Sequence, residues 1–196
     1  MSSNIDPAIP PFGAATTAGV RNNFNAAKTE IEQLQRQIGY ADYNDSATAG
    51  SPIAVGASTW TKLTNNTLGA NTRTSALPLG VTSVWNAVSN QLDFTQLPVD
   101  TMVDLRADVQ LTTTGSNQQV RTRLSMQIGG ANPFVLGGPT NLFKSAGTYD
   151  YTFSIPFYIG SDATRTNPGE IQIWSDSTLS VVVRGWYIRI IKHIAE

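Results

Sequence analysis

The sequence contains no cysteine and a single histidine, and only 14% of its residues are charged. Without cysteine there is no disulfide, no thiolate metal site and no cysteine nucleophile, and one histidine excludes a multi-histidine zinc site. Basic residues number 13 against 14 acidic residues, so the chain lacks the excess of positive charge that nucleic-acid binding requires. No run of about 18 apolar residues occurs, so we expect no insertion into a membrane.

The histidine and the acidic residues do not form a catalytic pattern. His193 stands near the C-terminus, with no serine and carboxylate in a triad arrangement. Asp104 and Asp108 alternate with apolar residues, which places them on the outer face of one strand among solvated side chains. No phosphate-binding glycine motif and no complete calcium loop occurs. We therefore predict no catalytic residue, no cofactor and no metal site, and a protein that is not an enzyme.

Residues 1–15 predict an extended leader rather than a helix. Prolines fix the backbone at close intervals, and the apolar side chains of this stretch have no local core to enter. We therefore expect the leader to dock onto another protein, and a disordered terminus is the alternative. The candidate anchoring residues are Ile5, Pro7, Ile9, Pro10, Pro11 and Phe12.

Residues 16–39 predict a coiled-coil helix. Apolar residues recur at spacings of 4, 3, 4, 3 and 4, and the residues between them are almost all polar. Such a narrow stripe is typical of a seam between like helices, and Gly39 stands where a C-terminal cap is expected. The predicted seam consists of Val20, Phe24, Ala27, Ile31, Leu34 and Ile38. The pattern does not choose between two and three helices, and a helix packed on the following domain is the alternative.

Residues 40–57 are small and polar and predict a linker, whereas residues 58–196 predict a β head domain. Within 101–111, apolar and polar residues alternate as in a half-buried strand. A turn at 115–117 is expected to join this strand to a second one, at 120–128, in a long hairpin. Because no helical periodicity interrupts the domain, we expect a mainly β fold, an antiparallel jelly-roll sandwich of roughly eight to ten strands.

Two later segments bear on how the head associates. Residues 149–159 carry a complete face of large apolar side chains, which requires a second sheet, and Pro156 fits an edge strand or a bulge. Residues 181–191 are almost continuously apolar, with Gly185 at an expected bulge or at a corner between two strands. We infer that both faces of this strand are covered, one by its own sandwich and one by a neighbouring subunit, and we expect a homotrimer. A monomeric head with one internal strand is the alternative.

Long loops are the expected place for a receptor surface. The segments 129–148 and 160–169 are predicted to be such loops, and plain strand connections are the alternative. The candidate receptor contacts are Phe134, Phe143, Arg165 and Asn167. Three tryptophans that lie in strand-like runs are assigned to core or subunit contacts: Trp85, Trp174 and Trp186.

The N-terminal residues resemble a known family. The segment Asn4 to Gly13, reading NIDPAIPPFG, together with the later segments VRNNF and KTEIE, resembles the leader of tailed-bacteriophage fibre proteins. The remainder is similar in strand pattern and length to the tumour necrosis factor-type jelly-roll heads of trimeric phage fibres.

The resemblance implies a virion component. Its N-terminus would be held by a capsid or tail protein, its coiled coil would set a threefold axis, and its head would meet a host-surface glycan or protein. The expected location is therefore the virion surface, after synthesis in the host cytoplasm. The chain is short for a tail fibre, so a head fibre remains open. A head-decoration protein without a receptor and a carbohydrate-binding module are the alternatives.

Overall fold

A computed structural model of the chain describes residues 17–35 and 37–192. The leader residues and His193 therefore lie outside the described part. Helix α1 spans Thr17–Gln35 and the short helix α2 spans Asp162–Thr166. The strands are β1 (Ile38–Asn44), β2 (Ile53–Val55), β3 (Thr61–Lys62), β4 (Trp85–Asn86), β5 (Gln91–Leu92), β6 (Met102–Thr113), β7 (Gln118–Met126), β8 (Phe134–Phe143), β9 (Gly147–Tyr158), β10 (Glu170–Ser175) and β11 (Leu179–Ile191). Neither described helix is both long and apolar enough to cross a membrane.

The described strands form two main antiparallel sheets. Sheet A has the order β1-β11-β6-β9, and β2 also pairs with the beginning of β11. Sheet B has the order β3-β10-β7-β8, and β4 and β5 form a separate hairpin. Apart from β7 and β8, the paired strands of the two sheets are not consecutive in the chain, as in Greek-key connections. The prediction of a mainly β, jelly-roll-like sandwich is therefore confirmed.

The core lies between the two sheets, and the period-two patterns identify its side chains. Along β6, every second residue from Val103 to Thr113 is buried, and the residues between them are half-buried or exposed. Along β9, Phe153, Ile155 and Phe157 are buried in the same way. Pro156 lies on β9 at the edge of sheet A, and a bulge interrupts the β11 register at Gly185. Of the predicted alternatives, Pro156 therefore takes the edge position and Gly185 the bulge. An edge strand tolerates a missing N–H group, and a bulge accommodates one extra residue in the strand pairing.

The predicted hairpin between the strands on either side of residues 115–117 is wrong. Strand β6 pairs with β11 and β9 in sheet A, whereas β7 pairs with β10 and β8 in sheet B. The intervening turn therefore crosses from one sheet to the other. There the side-chain Oε1 of Gln118 accepts hydrogen bonds from the backbone N–H groups of Thr114 and Gly115, at 2.9 and 3.2 Å. Alternation places the apolar residues of both strands toward one core, but it does not specify which strand pairs with which.

The predicted linker at residues 40–57 is also wrong, since it contains most of β1 and all of β2. The helix ends at Gln35, and Ile38 already belongs to β1. Gly39 is buried in β1 rather than capping the helix, because the strand runs against residues 76–78 there. A Cβ on Gly39 would lie 2.3 Å from the carbonyl oxygen of Ala76. The head therefore begins near residue 38, not at 58.

The predicted long loop at 129–148 is wrong as well. Residues 134–143 form β8, which pairs with β7 at the edge of sheet B. The glycine pairs at 129–130 and 137–138 favour turns, but an edge strand accommodates glycine because one of its sides has no partner strand. Residues 160–169 do connect two strands, and they contain α2.

We predict that Gly39→Ala destabilises the head and that Gly115→Ala does not. The added methyl group at Gly39 meets backbone atoms of residues 76–78, whereas nothing lies within 4 Å of a Cβ at Gly115. Overpacking against backbone is expected to lower the free energy of unfolding by at least about 2 kcal/mol. The Gly115→Ala control, whose added methyl group meets no atom, should change it by less than about 0.5 kcal/mol. Urea denaturation at one fixed protein concentration measures both, and equal losses would contradict the close approach.

Candidate functional site

A row of apolar side chains crosses the outer face of sheet A at the end where the helix joins the head. The row contains one residue from each of four neighbouring strands, and each residue is paired with the next: Ile38 of β1, Ile191 of β11, Met102 of β6 and Tyr158 of β9. Ile38, Met102 and Tyr158 are 56, 54 and 65% exposed, and Ile191 is half-buried. We call these four residues the apolar row. Single exposed apolar residues need no explanation, whereas a contiguous exposed row is a candidate interaction surface.

Helix α1 carries a second uncovered apolar surface. Phe24 and Ile31 of the predicted seam are 71 and 54% exposed, and Val20 and Ala27 are half-buried. No described residue of α1 belongs to the buried core of the head. In this structure the helix is therefore not packed on the following domain by its apolar stripe. The side chain of Leu34 lies outside the described residues, and Ile38, the last seam position, belongs to the apolar row.

The rest of the outer face of sheet A is mainly polar and charged. Arg106 pairs with Asp108 at 2.8 Å, and Arg189 pairs with Asp104 at 3.8 Å. The Tyr40 and Tyr187 rings stack with centroids 5.4 Å apart. On β11, Arg184 and Arg189 are exposed and Tyr187 is half-buried, so the outer face of this strand is partly open in the single chain. Its predicted coverage by a neighbouring subunit stays a prediction.

A polar groove of about 210 Å³ lies beside α2. The helix begins after Ser161, whose hydroxyl accepts a hydrogen bond from the Thr164 backbone N–H. Thr164 is buried and accepts a hydrogen bond from the amide of Gln127, which attaches the helix to the end of β7. The opposite wall is the β4–β5 hairpin, where the backbones of Leu92 and Gly169 exchange two hydrogen bonds. The lining residues include Asn86, Ser89, Gln91, Asp93, Thr95, Arg165 and Asn167.

An ionic cluster holds the hairpin against sheet B. Glu170 of β10 accepts hydrogen bonds from the Gln91 amide at 3.0 Å and the Gln172 amide at 2.9 Å. The Lys62 ammonium lies 3.3 Å from the same carboxylate and donates to the Ser89 carbonyl. Burial alone would raise the pKa of Glu170, but the hydrogen bonds from Gln91, Gln172 and Lys62 and the charge of Lys62 outweigh it. The pKa of Glu170 is therefore lowered.

The structure divides the four predicted receptor contacts. Arg165 and Asn167 both line the α2 groove, where Arg165 pairs with Asp162 at 2.9 Å and the Asn167 amide donates to the Ala163 carbonyl. Phe134 lies at the same end of the sandwich, opposite Met126, and is 39% exposed. This is also the end where α1 enters. Phe143 lies at the opposite end, half-buried against Tyr149 with a centroid separation of 4.8 Å.

Sequence reasoning missed a larger open hollow, of about 650 Å³, beside the edge of sheet A. Residues 71–75 run along β1, and the backbones of Asp42 and Arg73 exchange two hydrogen bonds. The Arg73 guanidinium donates to the Tyr40 hydroxyl at 3.3 Å. Residues 71–75 are polar and non-repetitive, so only the long-range pairing with β1 identifies this site.

No protein-family model matches the sequence, and no curated protein is significantly similar to it. Among solved structures, the PRD1 vertex protein P5 is similar with a TM-score of 0.42 and 17% identity, over 80% of this chain and 96% of that chain. The Eiger TNF of S. frugiperda is similar with a TM-score of 0.46 and 5% identity, over 81% of this chain and 95% of that chain. The CBM22-1 and GH10 modules of Clostridium thermocellum xylanase 10B are similar with a TM-score of 0.39 and 12% identity, over 81% of this chain and 27% of that chain. At these TM-scores the similarities carry no argument about function.

We predict that Glu170→Gln destabilises the head at neutral pH and has little effect in acid. The lowered pKa means that the ionised form contributes stability above the ordinary value of 4.5, and that this contribution is lost as the pH falls through the folded pKa. Partial exposure limits the expected loss to about 1 kcal/mol near neutrality.

Unfolding free energies of the native chain and Glu170→Gln, measured between about pH 7 and pH 3, check this expectation. The two curves should converge as the pH falls through the folded pKa, because Glu170 then becomes protonated and resembles glutamine. The exposed Glu32→Gln, in a surface pair with Lys28, is the control and should change stability by less than about 0.5 kcal/mol. A constant difference across the pH range would contradict the role of the ionised carboxylate.

Proposed function

We propose that the chain is a short, non-enzymatic fibre protein of a bacteriophage virion. Three copies associate through α1 and sheet A, the leader anchors the trimer to a capsid or tail protein, and the head attaches to the host surface. The observation that carries this proposal is the exposed seam of α1, which leads through Ile38 into the exposed apolar row of the head. The exposed surface of α1 and the apolar row of the head would thus both be buried by the same partner, another copy of this chain.

The energetics favour self-association. Burying a phenylalanine, isoleucine or methionine side chain contributes roughly 1.5–3 kcal/mol. Each copy offers Phe24 and Ile31 on the helix and Ile38, Met102 and Tyr158 on the sheet. A 19-residue helix is marginal alone, so its heptad stripe gains stability from like helices in the assembly.

We propose three copies rather than two because the head resembles, in strand pattern and length, the heads of trimeric phage fibres. Closed rotational symmetry lets each copy present the outer face of sheet A to two neighbours around one axis. The outer face of sheet B then points away from the axis, toward the surroundings of the particle. The leader supports the virion assignment through its resemblance to phage fibre leaders, and its anchoring residues from Ile5 to Phe12 precede the stalk.

We predict that the native chain has the mass of three 21.1 kDa copies in solution. Ile31→Asp in the seam and Met102→Asp in the apolar row should each raise the dissociation constant of the trimer at least about tenfold, because each buries a charge without a partner. The double variant should be monomeric. Sedimentation at micromolar concentration measures all of them.

Val88→Asp is the matched control for these variants. Val88 is 95% exposed in the β4–β5 turn, outside both apolar surfaces, so this variant should remain trimeric. A native chain with the mass of one copy at micromolar concentration would overturn the fibre proposal.

We predict further that fluorescently labelled native protein binds whole cells of some member of a panel of bacteria. The monomeric double variant should bind the same cells roughly a hundredfold more weakly, because linked sites gain avidity. Flow cytometry measures both. If the chain is a decoration protein without a receptor, its native trimer binds no cells. An absence of binding to every member of the panel would therefore favour that alternative.

A further inference from the structure

Two arginines stack on two tryptophans on the outer face of sheet B. Trp174 of β10 alternates with the buried residues Ile173 and Ser175, so it faces outward and is half-buried rather than part of the core. The Arg121 guanidinium lies over its ring, 4.7 Å from the centroid. The Arg123 guanidinium lies 4.0 Å from the centroid of Trp60. We call Trp60, Arg121, Arg123, Gln172 and Trp174 the Trp–Arg face.

Strand register places these side chains side by side. Trp174 pairs with Arg121, and Gln172 pairs with Arg123. Because Arg121 and Arg123 are two residues apart on one strand, they point to the same face, with Cα atoms roughly 7 Å apart. Opposite Arg123 on β8 stands Gly137, and nothing lies within 4 Å of a Cβ there. The surface next to Arg123 on the β8 side is therefore open.

Both guanidinium groups keep unused donors. Arg123 donates through Nε to the Gln172 side chain at 2.8 Å, and Arg121 donates through Nε and Nη2 to the Gln119 side chain. Among the described residues, neither arginine forms an ion pair. Nη1 of Arg121 and both Nη atoms of Arg123 have no hydrogen-bond partner there either. Burial also lowers the pKa of Arg123, which shows that its charge is partly desolvated without a counter-charge.

The nearby charges do not neutralise this surface. Lys62 and Glu170 pair with each other at the edge of the sheet. The Asp176 carboxylate accepts from the backbone N–H of Gln119. A guanidinium held by a ring is preorganised, so it binds a planar anion with little further loss of side-chain entropy. Carboxylates match the fork of its N–H groups.

We propose that the Trp–Arg face binds a carboxylate-bearing polysaccharide, which deepens the proposed role in host attachment and rests on it. The arginines supply two fixed cations on an open sheet face rather than in a closed pocket, and an extended polymer with repeated carboxylates fits that geometry. A nucleic acid fits less well. The arginines lie over the rings that bases would stack on, and the chain as a whole carries a formal net charge of −1.

Affinity measurements with the full chain test the proposal. The carboxylate probes are polygalacturonate, alginate and hyaluronate, and neutral dextran and a thymidine oligonucleotide are the comparisons. We expect binding to at least one carboxylate polymer and none to dextran. Arg121→Gln and Arg123→Gln should each weaken binding about tenfold, and the double variant about a hundredfold. Arg123→Lys should also weaken it, since it keeps the charge but loses the planar fork.

Two further variants separate a built site from general charge attraction. Lys144→Gln removes one exposed cation that lies just beyond β8, outside the Trp–Arg face, and should leave binding within about twofold. Gly137→Phe fills the open space beside Arg123 without changing the charge and should weaken binding about tenfold. Circular dichroism and the melting temperature of each variant verify that it is folded.

Several results would overturn the proposal. These are no binding to any of the three carboxylate polymers, equal binding to dextran, tighter binding to the oligonucleotide, or an equal loss in Lys144→Gln and Arg123→Gln. The fibre proposal fails separately, through a monomeric mass. A trimer that binds cells but no carboxylate polymer would disprove only the inference about the Trp–Arg face, whereas a monomer that binds the polymers would disprove only the fibre proposal.

Discussion

The structure depends most on the pairing of β11 with β1, β2 and β6. β11 lies inside sheet A, between β1 and β6. The strands that follow helix α1, which are β1 and β2, therefore pair directly with the last strand of the sheet. On the other side of β11, neither β1 nor β2 pairs with Val183, and the buried hydroxyl of Thr48 fills this gap. It accepts a hydrogen bond from the Val183 N–H at 2.8 Å and donates one to the Val183 carbonyl at 3.1 Å. The turn after β1 is therefore part of the sandwich rather than a spacer, and α1 leaves the head directly from the edge of sheet A.

This arrangement gives the two sheets different outer faces. Sheet A carries the apolar row next to the helix and, beyond it, ion pairs such as Arg106 with Asp108. A buried apolar patch with charged neighbours is a common design for a specific protein interface, because the patch supplies affinity and the charges select the partner. Sheet B carries stacked arginines that have no counter-charge. In the proposed trimer the first face points to the axis and the second points to the surroundings.

The candidate sites were only partly predictable from the sequence. The sequence predicts Arg165 and Asn167 to be loop residues, and they line one groove because α2 and the β4–β5 hairpin meet there. The sequence groups Phe143 with them, but Phe143 lies at the other end of the sandwich because β8 runs the length of sheet B as a strand. A strand-like run predicts a core position or a subunit contact for Trp174. Its position between buried neighbours on β10 places it outside the core, against Arg121. None of these outcomes follows from local composition, because each depends on which distant segments become neighbours.

The sequence by itself determined which side chains face the core and which form the helical stripe. Alternation places Val103, Leu105 and Phe153 on the core face of their strands, whichever strands become their neighbours. The 3.5-residue repeat places Phe24 and Ile31 on one side of a helix. Only the tertiary structure decided that β6 and β7 belong to different sheets, that residues 38–55 contribute strands, and that two arginines stand beside two tryptophans. The physical reason is that side-chain alternation is a local property of the backbone, whereas strand pairing is set by hydrogen bonds and packing between segments far apart in the chain.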